Sequence, residues 1–156
     1  MLVLVLVLGG AQPDATAADI GSMFDHERLD GYRVAIEFIA WTEDVLDALP
    51  KDKRAVAAAR HLEDASTSIA LNIAEGNGKR SSADRIRYLE IARGSSLECA
   101  ACLDVLVVRR RVSSSLAAAG KATLVRVVSI LTKLIESLNE RPSTSTSTST
   151  STIRKR

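Results

Sequence analysis

Two cysteines, Cys99 and Cys102, stand in a C-x-x-C spacing. That spacing serves dithiol redox centres and supplies half of a zinc site. A redox pair normally sits at a helix N-terminus, where the dipole lowers the thiol pKa. These two fall more than a dozen residues inside a long helical pattern, with Cys99 on its apolar line. Zinc would need two further ligands, and the chain has no second C-x-x-C. Cys99 is expected to be a small buried apolar residue rather than half of a redox or metal pair. His26 and His61 stand apart from any serine or cysteine in a nucleophile motif. Glu75 and Glu98 suggest paired carboxylates, but di-iron bundles use Glu-x-x-His, which does not occur here. Gly76-Asn77-Gly78-Lys79 has a phosphate-loop flavour. It follows a helical pattern, not a strand, and lacks the Walker spacing. Asn72 and Glu75 are expected to hydrogen-bond the amides of that turn. No constellation asks for a catalytic residue, a metal or a cofactor, so the expectation is a protein that is not an enzyme.

The remaining chemistry is charge. Lys79, Arg80 and Arg85 cluster at one turn, and Arg109, Arg110 and Arg111 at another. These six are candidate phosphate contacts for RNA or DNA. Residues 1–78 hold 6 basic and 13 acidic residues, whereas residues 79–156 hold 15 basic and 6 acidic. The asymmetry fits a basic face turned to phosphates, or two halves of one molecule that attract each other. At about 1.5 Å per residue the two basic clusters lie roughly 40 Å apart, too far for one compact patch on a monomer. Binding, if it occurs, is expected to be weak, salt-sensitive and without base readout. A second feature is a run of small side chains, Gly94, Ser95, Ser96, Ala100 and Ala101. Small residues let another helix approach closely. Gly94 and Ser95 are candidate subunit contacts; packing inside the monomer would use them equally well.

Four helical patterns must position these residues. The first runs from about Asp25 to Leu49, with Leu29, Tyr32, Ala35, Ile36, Ile39, Leu46 and Leu49 at helical spacing and Pro50 as its stop. The second runs from Lys53 to Glu75 along Ala58, Leu62, Ala65, Ile69 and Ile73, with Gly76 and Gly78 as C-cap residues. The third begins at Ser81 or Ser82, where Ser81-x-x-Asp84 resembles a capping box. It follows Leu89, Ala92, Ser96, Cys99, Leu103 and Leu106 to Arg109–Arg111. The fourth spans Ser114 to Asn139 along Leu124, Val127, Leu131, Leu134 and Leu138, widened by Val128 and Ile135. Aromatics make up only 3% of the chain, which suits aliphatic helix packing. Four long helices with short connections predict an all-α, up-down antiparallel four-helix bundle over residues 23–141.

The ends stand apart. Residues 1–22 open on an apolar run, Leu2 to Leu8, too short to span a bilayer as a helix and without a basic segment before it. They are expected to lie outside the fold, as an extension or a weak signal peptide. Residues 142–156 are a Ser/Thr-rich tail ending in Arg154-Lys155-Arg156, expected to be disordered. Two cysteines give no disulfide framework, so a cytoplasmic location without membrane attachment is expected.

Asn72–Gly76, Lys79–Ser82, Tyr88-Leu89, Ile91-Ala92, Gly94, Ser95 and Glu98 together form an N-I-A-E-G turn, a basic residue and serine, an aromatic-Leu pair, I-A and G-S-x-x-E. This pattern resembles the bacterial four-helix-bundle protein family, also known as the 23S rRNA intervening-sequence protein family, which includes the accessory variability proteins of diversity-generating retroelements. The segments FDHERLDGYRVAIEF and LVRVVSILTKLIE resemble its first and last helices, and the match covers about residues 24–139. The resemblance implies a homopentamer. For the retroelement branch it implies binding of nucleic acid and a reverse transcriptase through basic surfaces. Members that bind nucleic acid are strongly basic, whereas residues 23–141 here hold 18 basic and 17 acidic residues.

Overall fold

A computed structural model of the chain describes residues 24–50 and 52–140; the expectations for residues 1–22 and 142–156 fall outside them. Four helices form, α1 (Asp30–Asp47), α2 (Lys53–Asn77), α3 (Ser82–Val108) and α4 (Ser114–Glu140), with no strand among the described residues. Connections of four or five residues force consecutive helices antiparallel. Each helix packs on two neighbours: α1 on α2 and α4, and α3 on the same two. Helices α1 and α3 are therefore diagonal partners, pointing the same way and not touching.

The first helix does not begin at Asp25. Residues Asp25–Arg28 make a 3-10 turn, and Leu29 is extended (φ −78°, ψ 125°) before α1 starts. The Glu27 carboxylate folds back to accept the Phe24 N–H at 3.1 Å, and Arg33 Nε donates to the Glu27 carbonyl at 2.9 Å. These bonds close the turn, and Leu29 packs against the core. The buried line of α1 is also displaced from the expected one. It is Gly31, Val34, Ala35, Phe38, Thr42 and Val45, while Ile36 is exposed.

The other lines agree more closely. All five expected positions of α2 and all six of α3 are buried. On α4 the seam is Ala117, Gly120, Leu124, Val127, Leu131, Ile135 and Leu138. Ile135 replaces Leu134, which is only half-buried, because a period of 3.6 residues drifts off a strict 3-4 alternation. Helix α4 is long and apolar enough to cross a membrane by length and composition, but this seam faces the bundle core. Ser81 caps α3, its Oγ accepting the Asp84 N–H at 3.0 Å and donating to the Asp84 carboxylate at 2.6 Å. Ser113 caps α4 through the Leu116 N–H at 3.1 Å.

Glycines act here through size. Gly76 is inside α2, with no left-handed backbone, so it is not the C-cap expected of it. A Cβ at Gly76 would lie 3.1 Å from Tyr88 Cβ and 3.3 Å from the Arg85 carbonyl oxygen, so this glycine sets how closely α2 approaches α3. Gly78 likewise has no positive φ. Gly120 lies under the Trp41 ring, which joins α1 to α4.

Candidate nucleic-acid interface and the outer face of α3

The α2–α3 turn presents Lys79, Arg80 and Arg85, but not as three free cations. Lys79 Nζ makes an ion pair with Glu75, one helical turn back, and lies 4.8 Å above the Tyr88 ring centroid. The hydrogen bond to Glu75 holds the Lys79 ammonium above its ordinary pKa, so the pair stays charged and mutually satisfied. Arg85 is half-buried beneath the turn, its Nε enclosed without a hydrogen-bond partner. Arg80 alone of the three is exposed. Asn72 does not serve the turn amides. Its Nδ2 donates to the Ser68 carbonyl at 2.8 Å and contacts Ser68 Oγ at 3.1 Å, while Glu75 is taken by Lys79.

The second cluster terminates α3. Arg110 has φ 57°, the one left-handed non-glycine residue among those described. The Arg111 N–H donates to the Leu106 carbonyl at 2.9 Å and the Arg110 N–H to Val107 at 2.8 Å. This is a Schellman ending with arginine where glycine is usual. Arg111 pairs with Asp52 at 2.8 Å, which ties this turn to the α1–α2 connection. Arg110 remains exposed. An L-residue in this conformation costs about 1 kcal/mol. Glycine would recover most of that, less what its freer unfolded chain loses. Arg110→Gly is therefore expected to raise Tm by roughly 2–5 °C, and an unchanged or lower Tm in a thermal melt would contradict this account of the turn.

Both cysteines are free, Cys99 buried and Cys102 half-buried. Burial pushes the Cys99 thiol up to about 12 and also raises Cys102, the nearby Glu98 adding to both. Neither is a thiolate at neutral pH. Glu98, His61 and Cys102 line a groove of about 310 Å³ between α2 and α3 with Ala57, Ala101 and Val105. No group of three metal-ligating side chains forms among the described residues.

The small-residue run divides between two faces of α3. Ser95 is buried at the α2 seam, where its hydroxyl lies 2.9 Å from that of Ser68. Ser96 is fully buried and donates to the Ala92 carbonyl at 2.9 Å. Gly94 faces outward, with no atom within 4 Å of where a Cβ would sit. It belongs to a line of exposed positions, Ile91, Gly94, Glu98, Ala101, Val105 and Val108, spaced 3-4-3-4-3. The buried line, Leu89 to Leu106, has the same spacing on the opposite side. Helix α3 is thus apolar on two faces, and the monomer covers one. A second exposed apolar site, of about 250 Å³, lies between α3 and α4 around Leu97, Ala100, Val125 and Val128.

The family model for the 23S rRNA-intervening sequence protein matches residues 27–133. The fold is similar to the crystal structure of a protein of unknown function from the S23 ribosomal protein family, from Bacteroides thetaiotaomicron. The TM-score is 0.64 at 20% identity, covering 68% of this chain and 98% of the other. No curated protein matches the chain.

Proposed function

Because the chain belongs to the 23S rRNA-intervening sequence protein family, we propose that it is a non-enzymatic helical bundle that assembles into a homo-oligomer, a pentamer by resemblance, and serves as an assembly or adaptor scaffold. The observation that carries this reading is where its unused side chains lie. Large apolar residues stand on the outer surface, Val108 at 82% exposure and Leu97 at 60%. Meanwhile the nucleophilic and acid–base groups are buried, paired or scattered. Leu97 lies with Val125 and Val128 in one apolar site between α3 and α4, and an exposed apolar patch marks a site of association. Two free cysteines suit a reducing cytoplasm. Light scattering of the full chain at micromolar concentration should give a multiple of 16.7 kDa, five-fold for the pentamer. A mass of 16.7 kDa would refute the reading.

A second reading, favoured by the exposed Arg80 and Arg110 at opposite ends of α3, is a nucleic-acid-binding accessory that works with a reverse transcriptase or an rRNA intervening sequence. The ion pairs at Lys79 and Arg111 leave few free cations per subunit, so a ring of subunits would be needed to repeat them into a charged rim. Any such binding should fall steeply between roughly 50 and 200 mM salt. The same Arg110→Gly variant that gains stability should then lose affinity for RNA or DNA.

A further inference from the structure

The α2–α3 groove of about 310 Å³ falls at the small end of the range for ligand sites, and like them it is mostly apolar with a few polar groups. Alanines make it. Ala57 and Ala58 on α2 and Ala101 on α3 leave room where larger side chains would fill the seam. The polar groups are spread along its length. On α3, Glu98, Ala101, Val105 and Arg109 follow at intervals of three and four residues, so they share one face. At 1.5 Å per residue, Glu98 and Arg109 stand about 16 Å apart. The contact between the Ser68 and Ser95 hydroxyls fixes the register of the two antiparallel helices. Counting back along α2 and forward along α3 from that contact sets His61 level with Cys102, between the two charges. Glu98 and His61 are exposed, and neither forms a hydrogen bond or ion pair among the described residues.

We propose that this groove binds a short extended peptide of about five residues with small apolar side chains, its free ammonium at Glu98 and its free carboxylate at Arg109. An extended chain advances about 3.1–3.4 Å per residue, so five residues match the distance between the two charges. The shallow alanine floor takes methyl-sized side chains and no larger ones. His61 can hydrogen-bond the peptide main chain midway. Charge fixes the direction. Asp64, on the same face of α2 as His61 and level with Cys99, adds negative charge at the Glu98 end. The exposed Arg110 adds positive charge beyond Arg109, while Asp52 is paired with Arg111. Arg60 and Glu63 lie about 100° or more round α2 from His61, away from the groove. A guanidinium has five N–H donors, so Arg109 can take a carboxylate beside its contacts within the chain. A reversed peptide would set like charge against like at both ends. The apolar site around Leu97 and Val125 lies on the α4 side of α3, so a peptide in the α2–α3 groove leaves it open.

Equilibrium dialysis of the full chain against penta-alanine tests it, with the N-acetylated and C-amidated forms of the same peptide as comparisons. Penta-alanine should bind with a Kd below about 1 mM. Each blocked form should bind at least about tenfold more weakly, because it leaves one charged group of the groove unpaired. Glu98→Gln should abolish the preference for the free ammonium and keep that for the free carboxylate, and Arg109→Gln should do the reverse. Ala101→Phe, at an exposed position, should fill the groove and weaken binding by about tenfold or more. The three peptides on the unaltered chain decide the matter even if a variant folds poorly. Binding that is undetectable at about 5 mM peptide overturns the proposal, as does equal binding of all three peptides. A ranking of the three that survives both charge variants overturns it too. None of these outcomes bears on the oligomeric reading, which light scattering decides.

Discussion

Replacing Phe38 with alanine is expected to cost about 3–5 kcal/mol, the usual range for deleting a buried aromatic side chain. Phe38 is 0% exposed at the centre of α1 and stacks on Trp41 with ring centroids 5.6 Å apart. No neighbour can fill the vacated space without leaving its own rotamer. With roughly 3–6 °C per kcal/mol in a domain of this size, Tm should fall by about 10–25 °C. Melting should be followed at matched protein concentration, since assembly stabilises the folded chain by mass action. A fall of less than about 5 °C would mean that Phe38 is not the keystone of α1.

Enlarging Gly120 should be nearly as damaging, for the opposite reason. A Cβ there would stand 2.5 Å from Trp41 Cζ3 and closer still to Cη2. Alanine would gain about 1 kcal/mol in helix propensity. Overpacking typically costs about 1–3 kcal/mol, so the net effect is destabilising. Gly120→Leu should lose about 3 kcal/mol, or roughly 10–15 °C. The decisive measurement is a double-mutant cycle with Trp41→Ala. The indole is what a side chain at 120 would strike, so the two losses should fall short of adding by at least about 1 kcal/mol. Strict additivity would show that the glycine has some other purpose.

The sequence reveals α2 and α3 well because each carries one unambiguous apolar line, Ala58 to Ile73 and Leu89 to Leu106. Helix α1 misleads because its large aliphatic residues, Ile36 and Ile39, lie beside the seam, while Val34, Phe38 and Thr42 occupy it. The break at Leu29 depends on Glu27 turning back to Phe24 and on Arg33 reaching the Glu27 carbonyl. Each is a local bond that periodicity does not encode. Lys79 and Glu75 stand at i and i+4, so their pairing is readable in advance. The Arg111–Asp52 pair joins residues far apart in sequence and needs the fold to be seen. The outer line of α3 is written in Ile91, Ala101, Val105 and Val108, but the stronger inner line obscures it.

The square arrangement of the helices has a kinetic side. Helices α2 and α3 are joined by only four residues, with Ser81 fixing the start of the second and Gly76 admitting close contact. That hairpin closes at little entropic cost. The α1–α4 seam joins helices at opposite ends of the bundle sequence, and it is locked by Trp41 over Gly120. Since α4 is the last of the four to leave a ribosome, the core side of α1 stays half uncovered until synthesis of the bundle is nearly finished. During that interval the α1 line centred on Phe38 is the part of the nascent chain most in need of protection.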